Sequence, residues 1–348
     1  MRTFDYSFLE TGMLPARLVN VVSAIARLRE RESERRESYP DVFTRLESIA
    51  KVQSVKGSNE IEGIVTSEQR IVEIVNQNSA PLNHNEAEIA GYRDALDLIH
   101  NEYTRLDIRE RDILRLHEIM LSYSPVSGGQ YKKSDNLIME LDASGARRIR
   151  FAPTPASASE TMEQLILAYL DARSRYGINS LLLIPCFILD FLCIHPFTDG
   201  NGRMSRLLSL LLLYRNGFDA GRYISFEEQI NRTKSAYYQS LKGSSAGWHK
   251  GQNSYFPFME NFVATLLHCY KELDKRFAIV GAKKATKRQR VEATVLNSLL
   301  PISKAEICYI LPDVSPTTVE AVLSGMVRSG RIEKVGSARN TKYIKRLS

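Results

Sequence analysis

Twelve consecutive residues concentrate the chemistry of this chain: His195-Pro-Phe-Thr-Asp-Gly-Asn-Gly-Arg-Met-Ser-Arg206. They pack an imidazole, a carboxylate, an amide, two glycines and two arginines between two strongly apolar segments, and a loop that only turned the chain would need none of them. Gly200 and Gly202 free the backbone to turn its N–H groups inward. The helix that follows adds further free N–H groups and a positive dipole end, which together make a cradle for an anion. Arg203 and Arg206 lie three apart, hence on one helical face, and can clamp successive phosphates. Asp199 can hold a Mg²⁺ that bridges phosphate oxygens. A neutral His195 can take the proton of an attacking hydroxyl, which is what phosphoryl or nucleotidyl transfer to a side chain requires.

The elements that must position this loop are mostly helices. Apolar residues recur at helical spacing from Leu14 to Leu28, ahead of a charge-dense Arg27–Glu37 segment read as the solvated end of that helix. A second periodic run from Val42 reaches Glu62 and stops at Gly63, and Thr66-Ser67-Glu68-Gln69 fits a capping box for the next helix. Further helices are read at Asn85–Asn101, Ile108–Ser122, Ala158–Tyr176, Ser180–Ile194, Met204–Asn216, Lys234–Leu241 and Tyr255–Arg276. One stretch departs from this pattern. Asn136–Leu141 and Arg147–Ala152 flank a turn at Asp142–Gly145 and read as a β-hairpin, closed off by Pro153 and Pro155. Glu62 is anomalous, because a helix C-terminus disfavours an anion unless a cation compensates.

The twelve-residue stretch matches the Fic family signature HxFx(D/E)GNGRxxR at every specified position. Asn85–Tyr103, Leu116-His117-Glu118, Gly129-Gln-Tyr131, the hairpin to Phe151-Ala-Pro153, and Tyr237–Leu241 also resemble that family, over roughly residues 40–275. The resemblance implies a mainly α protein, a Fic-type helical bundle with a β-hairpin flap. It implies protein adenylylation, the movement of AMP from ATP to a Ser, Thr or Tyr hydroxyl with release of pyrophosphate. It assigns His195 as general base, Asp199 as Mg²⁺ ligand, Gly200, Asn201 and Gly202 to the α-phosphate region, and Arg203 and Arg206 to the β- and γ-phosphates. Tyr237 and Tyr238 would line the adenine pocket, and the Tyr131–Phe151 flap would hold a target segment by strand addition. Gly202 argues against the related Doc kinases, whose loop carries a Lys near the second glycine. Ser58-Asn-Glu-Ile-Glu62-Gly63 fits the family's inhibitory pattern (S/T)xxxE(G/N), so a Glu62–Arg206 ion pair would withhold Arg206 from the γ-phosphate. Removal of AMP, with Glu62 orienting a water, stays open.

The 348 residues carry a formal net charge of +7, and its distribution is uneven. Residues 283–348 hold 13 Lys+Arg against 5 Asp+Glu, whereas residues 1–282 hold 34 against 35. A basic end of this kind suggests a polyanion. Helical runs at Arg290–Leu300, Lys304–Ile310 and Ser315–Ser329, followed by a hairpin carrying Lys334, Arg339, Lys342 and Lys345, read as a small winged helix-turn-helix domain whose candidate partner is DNA. The expected division is an N-terminal helical region at 1–80 with an inhibitory helix at about 44–62, a catalytic core at 81–276, a linker at 277–289 and the winged helix at 290–348. A nucleotide-sensing DNA-binding regulator is the alternative function, and a homodimer is left open. The apolar runs are too short for a bilayer span and no secretory leader is visible, so no membrane partner and a cytoplasmic location are expected. The four cysteines show no CxxC pairing. His84, His100, His117, His249 and His268 have no metal spacing and are assigned no chemistry.

Overall fold

The computed structural model describes residues 3–141, 147–151, 153–154, 158–175, 177–280, 286–296, 298, 301–311, 313–336 and 341–346. The described residues are mainly helical, with one two-stranded and one three-stranded sheet. It divides into two compact units, residues 1–27 with 50–269, and residues 28–49 with 270–348. The second unit draws on residues 28–49, so contacts and chain order divide the molecule differently.

In the first unit the helices Ser180–Ile194 and Asn201–Arg215 form the centre and are buried on almost every face. Both sequences are apolar all round rather than in a stripe, which is what a helix surrounded by other helices requires. Asn179 caps the first by accepting the Leu181 N–H at 2.9 Å, and Pro185 is tolerated within it. Helices His84–Glu102, Glu110–Met120 and Ala158–Ser174 pack around this pair. Helix Glu68–Gln77 starts at Ser67, whose hydroxyl accepts the Arg70 N–H at 3.3 Å. Thr66 instead donates to Glu86, so the expected Thr66–Gln69 box is not formed. The strands Ile138–Leu141 and Arg147–Phe151 pair antiparallel with a register shift between Ile138 and Met139. The turn at 142–146, with Ala152 and Pro155, lies outside the described residues.

The second unit contains the end of helix Ala16–Ser38 and the start of helix Pro40–Ile61. The charged 27–37 segment forms the mostly exposed end of its helix, as expected, with Arg36 paired to Glu32 one turn back and Arg31 and Arg35 both reaching Asp274, at 3.1 and 2.7 Å. Phe43 stacks on Phe277 with centroids 4.9 Å apart. Helices Lys287–Leu296, Lys304–Ile310 and Pro316–Arg328 enclose a core of Val291, Val295, Ile307, Leu311, Val319, Leu323 and Met326. Ser303 and Glu306 form a reciprocal capping box. A short strand at Ile302–Ser303 pairs with Lys342–Lys345, which pairs in turn with Ile332–Val335, all antiparallel. The expected linker residues 281–285 and the turn residues 337–340 lie outside the described residues.

Candidate active site

His195 ends its helix in the left-handed region, at φ 53° and ψ 59°, a conformation non-glycine residues adopt at some energetic expense. That turn brings Nδ1 to 3.3 Å from the Leu192 carbonyl oxygen. Nδ1 must therefore carry the proton, which leaves the Nε2 lone pair free to accept one. Burial above all, aided by the nearby Lys132 ammonium, holds the imidazole at a pKa of about 4, so it is neutral at pH 7.

Asn201 opens the next helix and clamps the loop across its mouth. Its Oδ1 accepts the Phe197 N–H at 2.9 Å and its Nδ2 donates to the Phe197 carbonyl at 2.7 Å. The amide is thus engaged with the loop's own backbone rather than extended into the cradle. Gly200 precedes the helix at φ 78°, where a side chain would be strained. A Cβ at Gly202 would lie 2.3 Å from Glu62 Oε1, so a side chain there would push that carboxylate aside. Asp199 accepts the Gly200 N–H at 2.7 Å, and its side chain remains 57% exposed.

The two arginines diverge. Arg203 is buried and paired with Glu88, and lies 3.5 Å from Asp199 Oδ2. Arg206 is equally buried; its Nε donates to Ser58 Oγ at 2.8 Å, and a terminal nitrogen donates to the Ser58 carbonyl at 2.9 Å and to Glu62 Oε1 at 2.8 Å. Burial alone would lower the Arg206 pKa, and the Glu62 carboxylate more than reverses this, raising it. Ser58 and Glu62 ride on the end of helix Pro40–Ile61, which stops at Gly63 with φ 81°. Lys234 Nζ donates to the Ile61 carbonyl at 2.6 Å, supplying a cation for that helix end. Deeper along the helix, Ser54 donates to the buried Glu227 at 2.8 Å, and Glu227 also accepts Tyr92 Oη at 3.0 Å.

Two open cavities meet here. One is lined by Ile138, Phe151, Leu192, Cys193, Tyr237, Tyr238, Leu241 and Ser245 together with Glu62, His195, Gly202 and Arg206. The other is lined by Ile64, His84, Glu88, Thr198, Asp199, Gly200, Asn201 and Arg203, again with Glu62, His195 and Gly202. The first is largely apolar and aromatic; the second is rich in charges and backbone amides. Tyr237 and Tyr238 contact edge to face at 5.5 Å, and burial raises the Tyr237 pKa to about 12.

Several contributors escaped sequence reasoning. His117, assigned no chemistry, stacks on Phe197 at 3.7 Å, accepts the Gly129 N–H on Nδ1 at 3.0 Å, and so donates from Nε2 to the Asp199 carbonyl at 3.1 Å. Burial holds it at a pKa of about 4. It orients the loop without facing either cavity. Glu88 and Lys132 were also missed. The short helix Phe226–Arg232, which carries Glu227, gave no periodic signal of its own.

The sequence model of the Fic/DOC family matches residues 107–213. A Fido domain-containing protein of Dictyostelium discoideum is 31% identical over 121 residues, 35% of this chain and 79% of that protein. The chain belongs to the Fic/DOC family. A protein adenylyltransferase of Caenorhabditis elegans is 31% identical over 153 residues, 43% of this chain, which spans only 26% of that protein. The crystal structure of a Fic family protein from Desulfovibrio desulfuricans has the same fold, with a TM-score of 0.62 and 20% identity over 97% of this chain and 98% of that one. The Fic/DOC match contains the whole His195–Arg206 loop with His117, Lys132 and the hairpin, whereas Ser58, Glu62, Tyr237 and Tyr238 lie outside it. Among the described residues no helix is long and apolar enough to cross a membrane.

Proposed function

We propose that this chain is a self-inhibited protein adenylyltransferase that moves AMP from ATP to a Ser, Thr or Tyr hydroxyl of a target protein and of itself. The observation that carries the reading is the meeting of an aromatic cavity with a charged, amide-rich one at His195, Glu62 and Gly202. A nucleoside fits the first environment and a polyphosphate the second, which brings the α-phosphorus past the imidazole. The acceptor oxygen forms the new bond to the α-phosphorus, the bond to the α–β bridging oxygen breaks, and pyrophosphate leaves with that electron pair. The hydroxyl proton passes to His195 Nε2. Asp199 suits a Mg²⁺ ion: its carboxylate is exposed beside the cradle, and this ion takes one or two carboxylates with phosphate oxygens and water. Among the described residues no three His, Cys, Asp or Glu side chains cluster, in keeping with an ion that phosphates help to hold. The bound ion would neutralise charge on the phosphates.

In this reading Glu62 is the inhibitor. It occupies Arg206 and stands where the end of a triphosphate would lie. Because Glu62 lines both cavities, it also supports orientation of a water for AMP removal. The test is incubation with α-labelled ATP and Mg²⁺, comparing wild type, Glu62→Gly and His195→Ala. Label should rise in Glu62→Gly and vanish in His195→Ala while nucleotide binding persists. Transfer at the wild-type rate in His195→Ala would remove the mechanism.

We read residues 290–348 as a winged helix-turn-helix that binds duplex DNA, with helix Pro316–Arg328 in the major groove and strand lysines on phosphates. Arg290, Arg331 and Lys304 are taken up by Asp313, Glu292 and Glu320. Phosphate contact therefore falls to the exposed Arg328, Lys334, Lys342, Lys345 and Arg346; Arg339 lies outside the described residues. A mobility shift of the full chain that weakens steeply with salt, and is lost in Lys342→Ala with Lys345→Ala, supports this reading. No shift at low salt removes it.

A further inference from the structure

The loop that carries His195 is held from behind. The Pro196 carbonyl accepts the Lys132 N–H at 2.8 Å, the Phe197 carbonyl accepts Asn136 Nδ2 at 3.3 Å, and the Ile194 carbonyl accepts Lys132 Nζ at 3.3 Å. These three bonds fix the backbone of the loop on the side of the hairpin. Lys132 is 3% exposed. Its ammonium has three protons and three partners: Asn136 Oδ1 at 2.7 Å, the Thr154 carbonyl and the Ile194 carbonyl.

These partners come from three places. Asn136 stands just before the first hairpin strand, Thr154 just after the second, and Ile194 immediately before His195. An apolar side chain of similar length would fill this space without desolvating a charge. An ammonium can do what an apolar chain cannot, which is to tie three separate backbone segments at one point.

We propose that Lys132 is a positioning residue for the transfer reaction, its ammonium fixing both rims of the hairpin to the turn that holds His195. This rests on reading His195 as the base and the hairpin as the docking edge for the acceptor. The acceptor hydroxyl and the imidazole then share one frame, and a small error in that frame lowers the turnover rate without weakening nucleotide binding.

The experiment uses the full chain in a Glu62→Gly background with α-labelled ATP and Mg²⁺, following the initial rate of self-labelling against ATP concentration and pH. Lys132→Met should lower the maximal rate by about tenfold or more while half-saturating ATP stays within about twofold. Lys132→Arg, which keeps the charge and the donors, should recover to within about threefold of the parent. The charged groups facing His195 are Lys132, Glu62 and Asp199. Removing the cation should also move the acid limb of the pH profile upward, while the loss of maximal rate at nearly unchanged half-saturating ATP is the readout that a merely structural lysine would not give. If Lys132→Met does not fold, Asn136→Ala removes one of the three partners and should lower the maximal rate by about threefold. Full maximal rate in either variant, with His195→Ala silent, overturns the proposal. Undiminished labelling by His195→Ala would instead overturn the transfer reading beneath it.

Discussion

Arg203 and Arg206 sit one helical turn apart and both guanidiniums are 2% exposed, yet each meets a different region of the molecule. Arg203 faces Glu88 on helix His84–Glu102, and that carboxylate is only 3% exposed. Arg206 faces Glu62 at the end of helix Pro40–Ile61, where the carboxylate is 33% exposed and the chain turns away at Gly63. The difference teaches how one kind of ion pair serves two purposes. A pair with both partners sealed inside packed helices cannot open without leaving a buried charge, so it is scaffold. A pair with one partner on a helix end beside open cavities can separate into solvent, so it can act as a latch.

The sharpest way to break this comparison is to remove each carboxylate and measure stability. Glu88→Ala leaves Arg203 buried and unpaired and is expected to cost about 3–5 kcal/mol in chemical denaturation. Glu62→Gly should cost less, because Arg206 keeps both of its hydrogen bonds to Ser58. Equal losses would erase the distinction between scaffold and latch.

Histidines divide along the same line. His117, with both ring nitrogens engaged, belongs to the scaffold; His195, with Nε2 open, belongs to the site. Both are held at a pKa of about 4 when folded, against about 6.5 in an unfolded chain. As pH falls from about 6.5 towards 4, the unfolded state takes up protons first, so native stability should decline across that window. For the buried His117 the loss approaches about 2–3 kcal/mol. A His117→Gln variant should show a visibly flatter stability profile from pH 4 to 7. An unchanged profile would show that His117 does not carry that share.

Opening the latch should be read in activity. A latch worth about 1.4 kcal/mol changes the competent fraction about tenfold, so Glu62→Gly should raise self-labelling by about that factor or more. Arg206→Ala should be inactive in either background. The smallest effect is expected from Lys234→Ala, which removes the cation at the end of helix Pro40–Ile61. Losing about 0.5–1 kcal/mol of helix-end stabilisation should raise labelling about two- to fivefold. No rise would mean that Lys234 does not help to seat the latch.

What was legible in the sequence was what neighbouring residues decide among themselves. The spacing of Gly200, Gly202, Arg203 and Arg206 gives a loop entering a helix, and the helix opens at Asn201 with both arginines in its first turns, although they diverge to different carboxylates. Glu62 at a helix end demanded a cation, and Arg206 meets it. Two short extended runs around a Gly-containing turn, closed off by Pro153 and Pro155, read as a hairpin, and Ile138–Leu141 pairs antiparallel with Arg147–Phe151. The 27–37 segment is the mostly exposed end of its helix, as its charges suggested, whereas the carboxylate that Arg31 and Arg35 share, Asp274, lies too far along the chain to be read from it.

Tertiary structure alone decided which acid neutralises which base, and which groups stand behind the loop. Glu88 lies 115 residues from Arg203, and Lys132 lies 62 from Ile194. No periodicity links such pairs, because hydrogen bonds and ion pairs depend on separations of a few ångströms that the chain sets only when its helices pack. The sequence determined a nucleotide-transfer loop, its base and a nearby inhibitory carboxylate as candidates. Packing decided that one arginine would be locked and the other left releasable, because burial, which makes an ion pair permanent, belongs to the folded surroundings and not to the residues themselves.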